Sequence, residues 1–122
     1  MGSIQAQEAA DRGWIDLCAL EEVEPGQGLY VERDDRGLAV LRPDAAQVFV
    51  MENRCPHAGG ALAGGAMSDG CVICPWHGWA FELQSGRCPD APQIAVRTYR
   101  ARIAAGRVEA RLDAAPDRGN AR

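Results

Sequence analysis

Two short segments combine the residue types that bind transition metals, and they constrain this chain more than any other feature. Cys55-Pro56-His57 is followed, after sixteen further residues, by Cys74-Pro75-Trp76-His77. His57 and His77 are the only two histidines in the 122 residues. Any mechanism that needs three histidines, or metal ligands and a separate histidine base, is therefore excluded. Two thiolates and two neutral imidazoles together make a four-ligand site for a borderline-soft metal.

Two kinds of metal centre fit this ligand set, a structural Zn²⁺ and a [2Fe–2S] cluster with two cysteines on one iron and two histidines on the other. A zinc finger usually groups its cysteines in one pair and its histidines in another, whereas here each segment holds one of each. Glycines flank both segments, and without a Cβ they let backbone N–H groups approach bridging sulfides. These glycines are Gly59, Gly60, Gly64, Gly65 and Gly78. The pattern favours the iron–sulfur cluster.

At these residues the chain resembles the Rieske iron–sulfur family, which carries Cys-x-His in one loop and Cys-x-x-His in a second. The resemblance rests on Cys-Pro-His-Ala-Gly-Gly and Cys-Pro-Trp-His-Gly, and it extends from about Trp14 to Leu112. It implies one [2Fe–2S] cluster, bound by Cys55, His57, Cys74 and His77. The cysteines would hold the buried iron, and the histidines would hold the outer iron with their ring edges exposed. It also implies an all-β fold of three stacked antiparallel sheets, with a cluster-binding subdomain formed by two loops.

Turn signals at regular short spacing also predict an antiparallel all-β chain. Bulky and polar residues alternate from Trp14 to Leu20, which is typical of a strand. Further strands are expected at 28–32, 38–42, 48–52, 71–73, 80–83, 96–103 and 107–112. We expect a flexible tail at 1–12, one Rieske domain at 13–112 and a disordered tail at 113–122. Cys88 to Pro92 is expected to be a rigid loop. The resemblance implies cluster-binding loops at about 53–79 and 86–92, with Cys88 to Pro92 over the cluster.

The other cysteines are not expected to bind the cluster. Cys71 forms a Cys-x-x-Cys with Cys74, the spacing of a redox dithiol or a zinc knuckle, but it lies in an apolar run that predicts a strand. Cys71 and Cys18 are therefore interpreted as buried, small hydrophobic residues. Cys88 is interpreted as a structural thiol near the cluster.

Within the family that it resembles, the chain is expected to be an electron carrier and not an enzyme. The membrane-anchored subunit of cytochrome bc-type complexes has a membrane helix and a loop-linking disulfide, and the corresponding positions here are Gly60 and Trp76. The catalytic subunit of a Rieske oxygenase needs two more histidines for a mononuclear iron, and this chain has none to spare. Two roles remain. One is a soluble ferredoxin between a flavin-dependent reductase and a terminal oxygenase, and the other is the small subunit of an assimilatory NAD(P)H-dependent nitrite reductase.

The resemblance also predicts a low reduction potential. High-potential members place a serine two residues after the second histidine and a tyrosine two residues further on. Those positions hold Trp79 and Phe81, which have no hydroxyl group. Fewer hydrogen bonds to the sulfurs disfavour the reduced cluster.

Charge and composition limit the partners. All thirteen basic residues are arginines and the net charge is −4, with the acidic excess in residues 1–54. No basic stripe is interleaved with aromatic residues, which argues against nucleic acid, and an acidic face suits a positively charged protein partner. No segment is apolar enough to span a membrane, and no signal peptide is found. We therefore expect a cytoplasmic protein that does not bind membranes and is a monomer when free.

Overall fold

The computed structural model describes residues 13–54, 61–75 and 78–112, and these residues form strands joined by short turns. Two single-turn 3-10 helices, at Leu20–Glu22 and Leu62–Gly64, are the only helices in these three ranges. The eleven strands are β1 Trp14–Ala19, β2 Gln27–Arg33, β3 Arg36–Asp44, β4 Gln47–Glu52, β5 Ala66–Ser68, β6 Cys71–Ile73, β7 Ala80–Glu82, β8 Arg87–Cys88, β9 Ala91–Ala95, β10 Thr98–Ala104 and β11 Arg107–Arg111. In the described ranges, no helix is long and apolar enough to cross a membrane.

The strands form three antiparallel sheets, as the sequence predicts. The largest has six strands in the order β1-β11-β10-β4-β3-β2. A three-stranded sheet, β5-β6-β7, carries the segment that leads to Cys74. The third sheet is the hairpin β8-β9. The expectation of an all-β fold with three antiparallel sheets is therefore confirmed.

Strands β3 and β4 are covered on both faces, because each of their faces contributes to a different core. Leu38, Ala39, Val40 and Leu41 are four consecutive residues of β3 with no exposed surface. Successive side chains of a strand point to opposite faces, so Leu38 and Val40 enter one core while Ala39 and Leu41 enter the other. In β4, Val50 and Met51 divide between the two cores in the same way. Strands β3 and β4 therefore belong to both cores and join them.

The first core is formed mainly by residues of the six-stranded sheet, and the second includes the predicted ligand Cys74. The buried members of the first are Leu17, Cys18, Val23, Val31, Leu38, Val40, Val50, Tyr99, Val108, Ala110 and Leu112. Those of the second are Ala39, Leu41, Met51, Leu62, Val72, Cys74, Phe81, Leu83, Cys88 and Val96. The three-stranded sheet thus packs onto β3 and β4 through the second core.

Three of the hairpins turn on two residues with positive φ. The pairs are Asp34-Asp35, Asp69-Gly70 and Ala105-Gly106, with φ between 53° and 78°. Positive φ at both central residues matches the type I′ turn, whose twist suits the flanking strands. The turn at Asp69-Gly70 joins β5 to β6 and so fixes the register that leads into Cys74.

Arginine side chains brace the edges of the large sheet. Arg33, at the end of β2, donates from Nε to the Asp16 carbonyl at 3.2 Å and from Nη2 to the Leu17 carbonyl at 2.9 Å. Those carbonyls belong to β1, the opposite edge strand. Arg42 donates to the carbonyls of Val23 and Ala45 at 2.8 and 2.9 Å. Arg33 therefore links the two edges of the sheet through side-chain hydrogen bonds.

The structure corrects two sequence expectations. Residues 86–92 do not form an irregular loop, because Arg87–Cys88 and Ala91–Ala95 pair as the hairpin β8-β9 with its turn at Pro89-Asp90. Strand β5, Ala66–Ser68, is also present where a loop is expected. Strand β5 has no β-branched or aromatic residue, unlike β6, and β8 has only two residues. Strand β9 contains Pro92, which argues against a strand. The predicted tails, 1–12 and 113–122, lie outside the described residues.

Candidate metal centre

Cys74 is the one predicted cluster ligand that lies in the described part of the chain. It directly follows β6 and is 1% exposed. Cys55, His57 and His77 lie outside the described residues, so their assignment as ligands stays a prediction.

Cys74 belongs to the second core, where its neighbours are apolar. Leu62, Val72 and Phe81 are members of the same cluster and are fully buried. A metal ion compensates the charge of a thiolate ligand, so such a ligand can lie in an apolar site. The environment of Cys74 therefore fits a thiolate ligand to the inner iron of a [2Fe–2S] cluster, with water excluded from that side.

The second ligand segment, Cys74 to Trp79, is closed at its base by two backbone hydrogen bonds. The Cys74 N–H donates to the Trp79 carbonyl at 2.7 Å, and the Gly78 N–H donates to the Cys74 carbonyl at 3.0 Å. Gly78 has φ of +74°, a conformation that favours glycine. Gly78, which follows the predicted ligand His77, is thus held close to the predicted ligand Cys74.

The first ligand segment, which contains Cys55 and His57, is held at both ends by Asn53. The Asn53 side-chain Oδ1 accepts a hydrogen bond from the Ala63 N–H at 2.6 Å. The backbone N–H of Asn53 donates to the Gly37 carbonyl at 2.9 Å, which anchors it to the start of β3. The sequence analysis did not single out Asn53. Its position two residues before Cys55, at the start of a glycine-rich loop, is a signal that could have found it, because asparagine side chains often bond nearby backbone groups.

Close backbone packing brings the two ligand segments together. A Cβ added at Gly65 would lie 2.2 Å from the Ile73 carbonyl oxygen, one residue before Cys74. A Cβ at Gly28 would lie 2.4 Å from the Ala63 carbonyl oxygen. The structure shows that Gly65 lies in close backbone contact with Ile73, the residue before Cys74. The expectation that the Gly65 N–H approaches a cluster sulfide stays a prediction.

The remaining described cysteines, Cys18, Cys71 and Cys88, are free. Cys18 and Cys88 are buried in the two cores, while Cys71 in β6 is partly exposed. Burial raises the pKa of the Cys71 thiol, and the carboxylates of Glu82 and Asp69 raise that pKa further. Burial likewise raises the pKa of Cys18. In residues 13–54, 61–75 and 78–112, no three metal-binding side chains come together. The interpretation of Cys71 as a residue that binds no metal stays a prediction.

The two residues that bear on the reduction potential lie next to Cys74. Phe81 is fully buried in the second core together with Cys74. Trp79 is half-buried and packs against the same core. Phe81 is therefore a core residue, and Trp79 packs at the edge of the same core.

Known proteins share both the sequence pattern and this fold. The sequence matches the family described as Rieske [2Fe-2S] domain over residues 13–100. A cholesterol 7-desaturase of Hemicentrotus pulcherrimus is 36% identical over 81 residues, which are 66% of this chain and 17% of that protein. The chain spans less than a fifth of the length of this and the other curated relatives that it matches most strongly.

Two solved structures resemble the chain over most of their own length. The ferredoxin of Sphingomonas yanoikuyae B1 is 31% identical with a TM-score of 0.71, over 80% of this chain and 97% of that one. A Mycobacterium tuberculosis protein described as an NADH-dependent nitrite reductase small subunit is 32% identical with a TM-score of 0.74, over 80% and 92%. Since the family match covers most of the sequence and the fold agrees, the chain belongs to the Rieske [2Fe-2S] family and binds one [2Fe–2S] cluster.

Proposed function

We propose that this protein is a low-potential Rieske ferredoxin that carries single electrons from a flavin-dependent reductase to a terminal oxygenase. The observation that carries the proposal is the buried Cys74 at the base of a closed ligand segment, in a fold that matches 97% of a ferredoxin chain. The cluster supplies reversible storage of one electron. The chain itself is not an enzyme in this proposal, because its residues hold the cluster and set its potential.

Each proposed ligand has a separate task. Cys55 and Cys74 bind the inner iron through Sγ, and the apolar core around Cys74 keeps water from it. His57 and His77 bind the outer iron through one ring nitrogen and leave the other nitrogen toward the partner. No side chain is assigned as a catalytic acid, base or nucleophile.

Iron and sulfide analysis tests this ligand set. We expect about two irons and two acid-labile sulfides per chain, and His57→Ala and His77→Ala should lose or degrade the cluster. Cys71→Ser is the matched control, since it removes a thiol three residues from Cys74 without removing a proposed ligand. Stoichiometric zinc without iron in natively isolated protein, or loss of iron in the control, would contradict the assignment.

The potential should lie at the low end of the family range. Phe81 is buried in the same core as Cys74 and has no hydroxyl to offer a cluster sulfur, so the reduced form lacks that stabilisation. Rieske centres span about −150 to +300 mV, and we expect a value on the order of −150 mV. Protein-film voltammetry decides this, and a value above about +100 mV would be too high for the proposed role.

A second candidate function, the small subunit of an assimilatory NAD(P)H-dependent nitrite reductase, is favoured by the similarity to the M. tuberculosis protein. Affinity purification from the host at physiological salt separates the two roles. A ferredoxin should dissociate from its partners and accept electrons from a flavin-dependent reductase. Stable co-purification with a nitrite reductase large subunit would favour the second role.

The proposed docking surface for redox partners is the cluster end of the molecule. In the described part of the chain, the turn Pro89-Asp90 of the hairpin β8-β9 and Pro75 are exposed near this end. We propose that the free protein is monomeric and cytoplasmic, and the free thiols of Cys18, Cys71 and Cys88 are consistent with a reducing compartment. Charge reversal at Asp90 should slow electron transfer, whereas reversal at Glu24 should not. The opposite result would place the docking surface near Glu24 and contradict the proposal.

A further inference from the structure

The 3-10 helix Leu62–Gly64 begins without a local cap. Its N-cap residue is Ala61, which makes no side-chain hydrogen bond to the helix. The first N–H groups of a helix have no partner inside it and need one from elsewhere. Here the partner of the Ala63 N–H is Asn53, ten residues earlier in the chain, at 2.6 Å and partly buried. Asn53 therefore supplies a contact that the local sequence lacks.

Both ends of this bond are attached to rigid parts of the fold. Asn53 directly follows β4, and its backbone N–H bonds the Gly37 carbonyl in β3. On the other side, Leu62 is fully buried in the second core, and Ala63 packs closely against Gly28 of β2. The bond thus joins two fixed points, one on each side of the segment that contains Cys55 and His57.

We infer that Asn53 is a positioning residue for the proposed cluster site, because its bond to Ala63 fixes the distance between the two described ends of the segment that contains the proposed ligands Cys55 and His57. The inference rests on the ligand set proposed above. Cys55 is only two residues from Asn53, so little chain separates the bond from the first proposed ligand. Gly65 and Ile73 continue the connection to the second segment through their backbone contact.

The test compares three variants of the full-length protein with its cluster. Asn53→Leu removes the acceptor at similar volume, and Asn53→Asp keeps an acceptor oxygen. Asp44→Leu is the matched control, because Asp44 Oδ1 accepts a backbone N–H from Ala46 at 2.8 Å in an exposed turn at the other end of β4. The measurements are the EPR g-values of the reduced protein, the midpoint potential, the rate of cluster loss to an iron chelator and the melting temperature.

We expect Asn53→Leu to shift and broaden the g-values, to change the midpoint potential, and to accelerate cluster loss about tenfold, which corresponds to ~1.4 kcal/mol. Asn53→Asp should recover most of the loss rate and the g-values, and Asp44→Leu should change none of these. Unaltered g-values, potential and loss rate in Asn53→Leu would overturn the proposal. A lower melting temperature with native g-values and potential would also overturn it, since that is the result for a purely structural residue.

Two further arms keep the result interpretable. If Asn53→Leu does not fold, Asn53→Ala removes the same acceptor without placing a branched side chain beside Ala63, and the same outcomes apply. The reduced wild-type protein is first examined by pulsed EPR for hyperfine couplings between the cluster and the nitrogens of two histidines. Their absence would refute the proposed ligand set itself, whereas their presence with a native Asn53→Leu spectrum would refute only the role of Asn53.

Discussion

Replacing Gly65 with alanine tests whether the contact between the two ligand segments holds the site together. Gly65 has φ of −81° and ψ of 152°, which any residue adopts, so the substitution adds no backbone strain. The added Cβ would instead lie 2.2 Å from the Ile73 carbonyl oxygen and 3.1 Å from the Val72 side chain. Gly64 is the matched control, since a Cβ there meets nothing within 4 Å.

The expected cost of Gly65→Ala follows from which atoms must move. An ordinary contact would require the two backbones to separate by about 1 Å, and neither is the flexible end of a side chain. That shift would strain the β5-β6 pair at Ala66 and Ile73. We therefore place the cost at the upper end of overpacking, about 3 kcal/mol. In a domain of this size, such a loss lowers the melting temperature by about 10–20 °C.

Circular dichroism of the anaerobic protein with its cluster gives the melting temperature, and visible absorbance gives the rate of bleaching in denaturant. Gly65→Ala should melt lower and bleach faster. Gly64→Ala should be neutral or more stable by about 0.5 kcal/mol, because alanine restricts the unfolded chain. Gly65→Ala with a melting temperature within about 2 °C of wild type would mean that the backbones separate at no cost, and the close contact would then not brace the site.

Three other expectations concern bracing, charge and thiol chemistry. Arg33→Met should lower the free energy of unfolding by about 1–2 kcal/mol, measured by denaturant titration, because two β1 carbonyls lose their donor. Arg107 lowers the pKa of Asp16 below 3.8, so this pair stabilises the fold above that pH and the effect is lost as pH falls further. Asp16→Asn should therefore cost under about 1 kcal/mol at pH 7 and match wild type near pH 2 in thermal melts. Cys71 should react slowly with iodoacetamide at pH 7, since its raised pKa leaves little thiolate; fast labelling would contradict its partly buried position.

The longer strands could be predicted because turn signals bound each apolar or alternating run. Strand β3 contains a continuous apolar run at Leu38–Leu41, and its burial on both faces follows from the two cores, which only the assembled fold reveals. The dipeptide Asp69-Gly70 favours a type I′ turn and indicates the β5-β6 hairpin. The sequence pattern alone nevertheless predicts no strand at β5.

The site shows the same division between local and long-range information. The Cys and His pattern indicates the ligands and the family, since it lies in adjacent residues. The bonds from Asn53 to Ala63 and from Arg33 to β1 join residues ten or more positions apart. A side chain that bonds a distant backbone group leaves no spacing pattern in the sequence, so its bonding partner is found only from the structure.

Because β3 and β4 contribute to both cores, the molecule has no boundary along which the cluster-binding half could open by itself. Exposing Ala39, Leu41 or Met51 would also disturb the strands that hold Leu38, Val40 and Val50 in place. Cooperative units of local opening follow such shared elements. The amides of β3 and β4 should therefore exchange with solvent only through global unfolding, so that resistance to cluster release rises and falls with the stability of the whole fold.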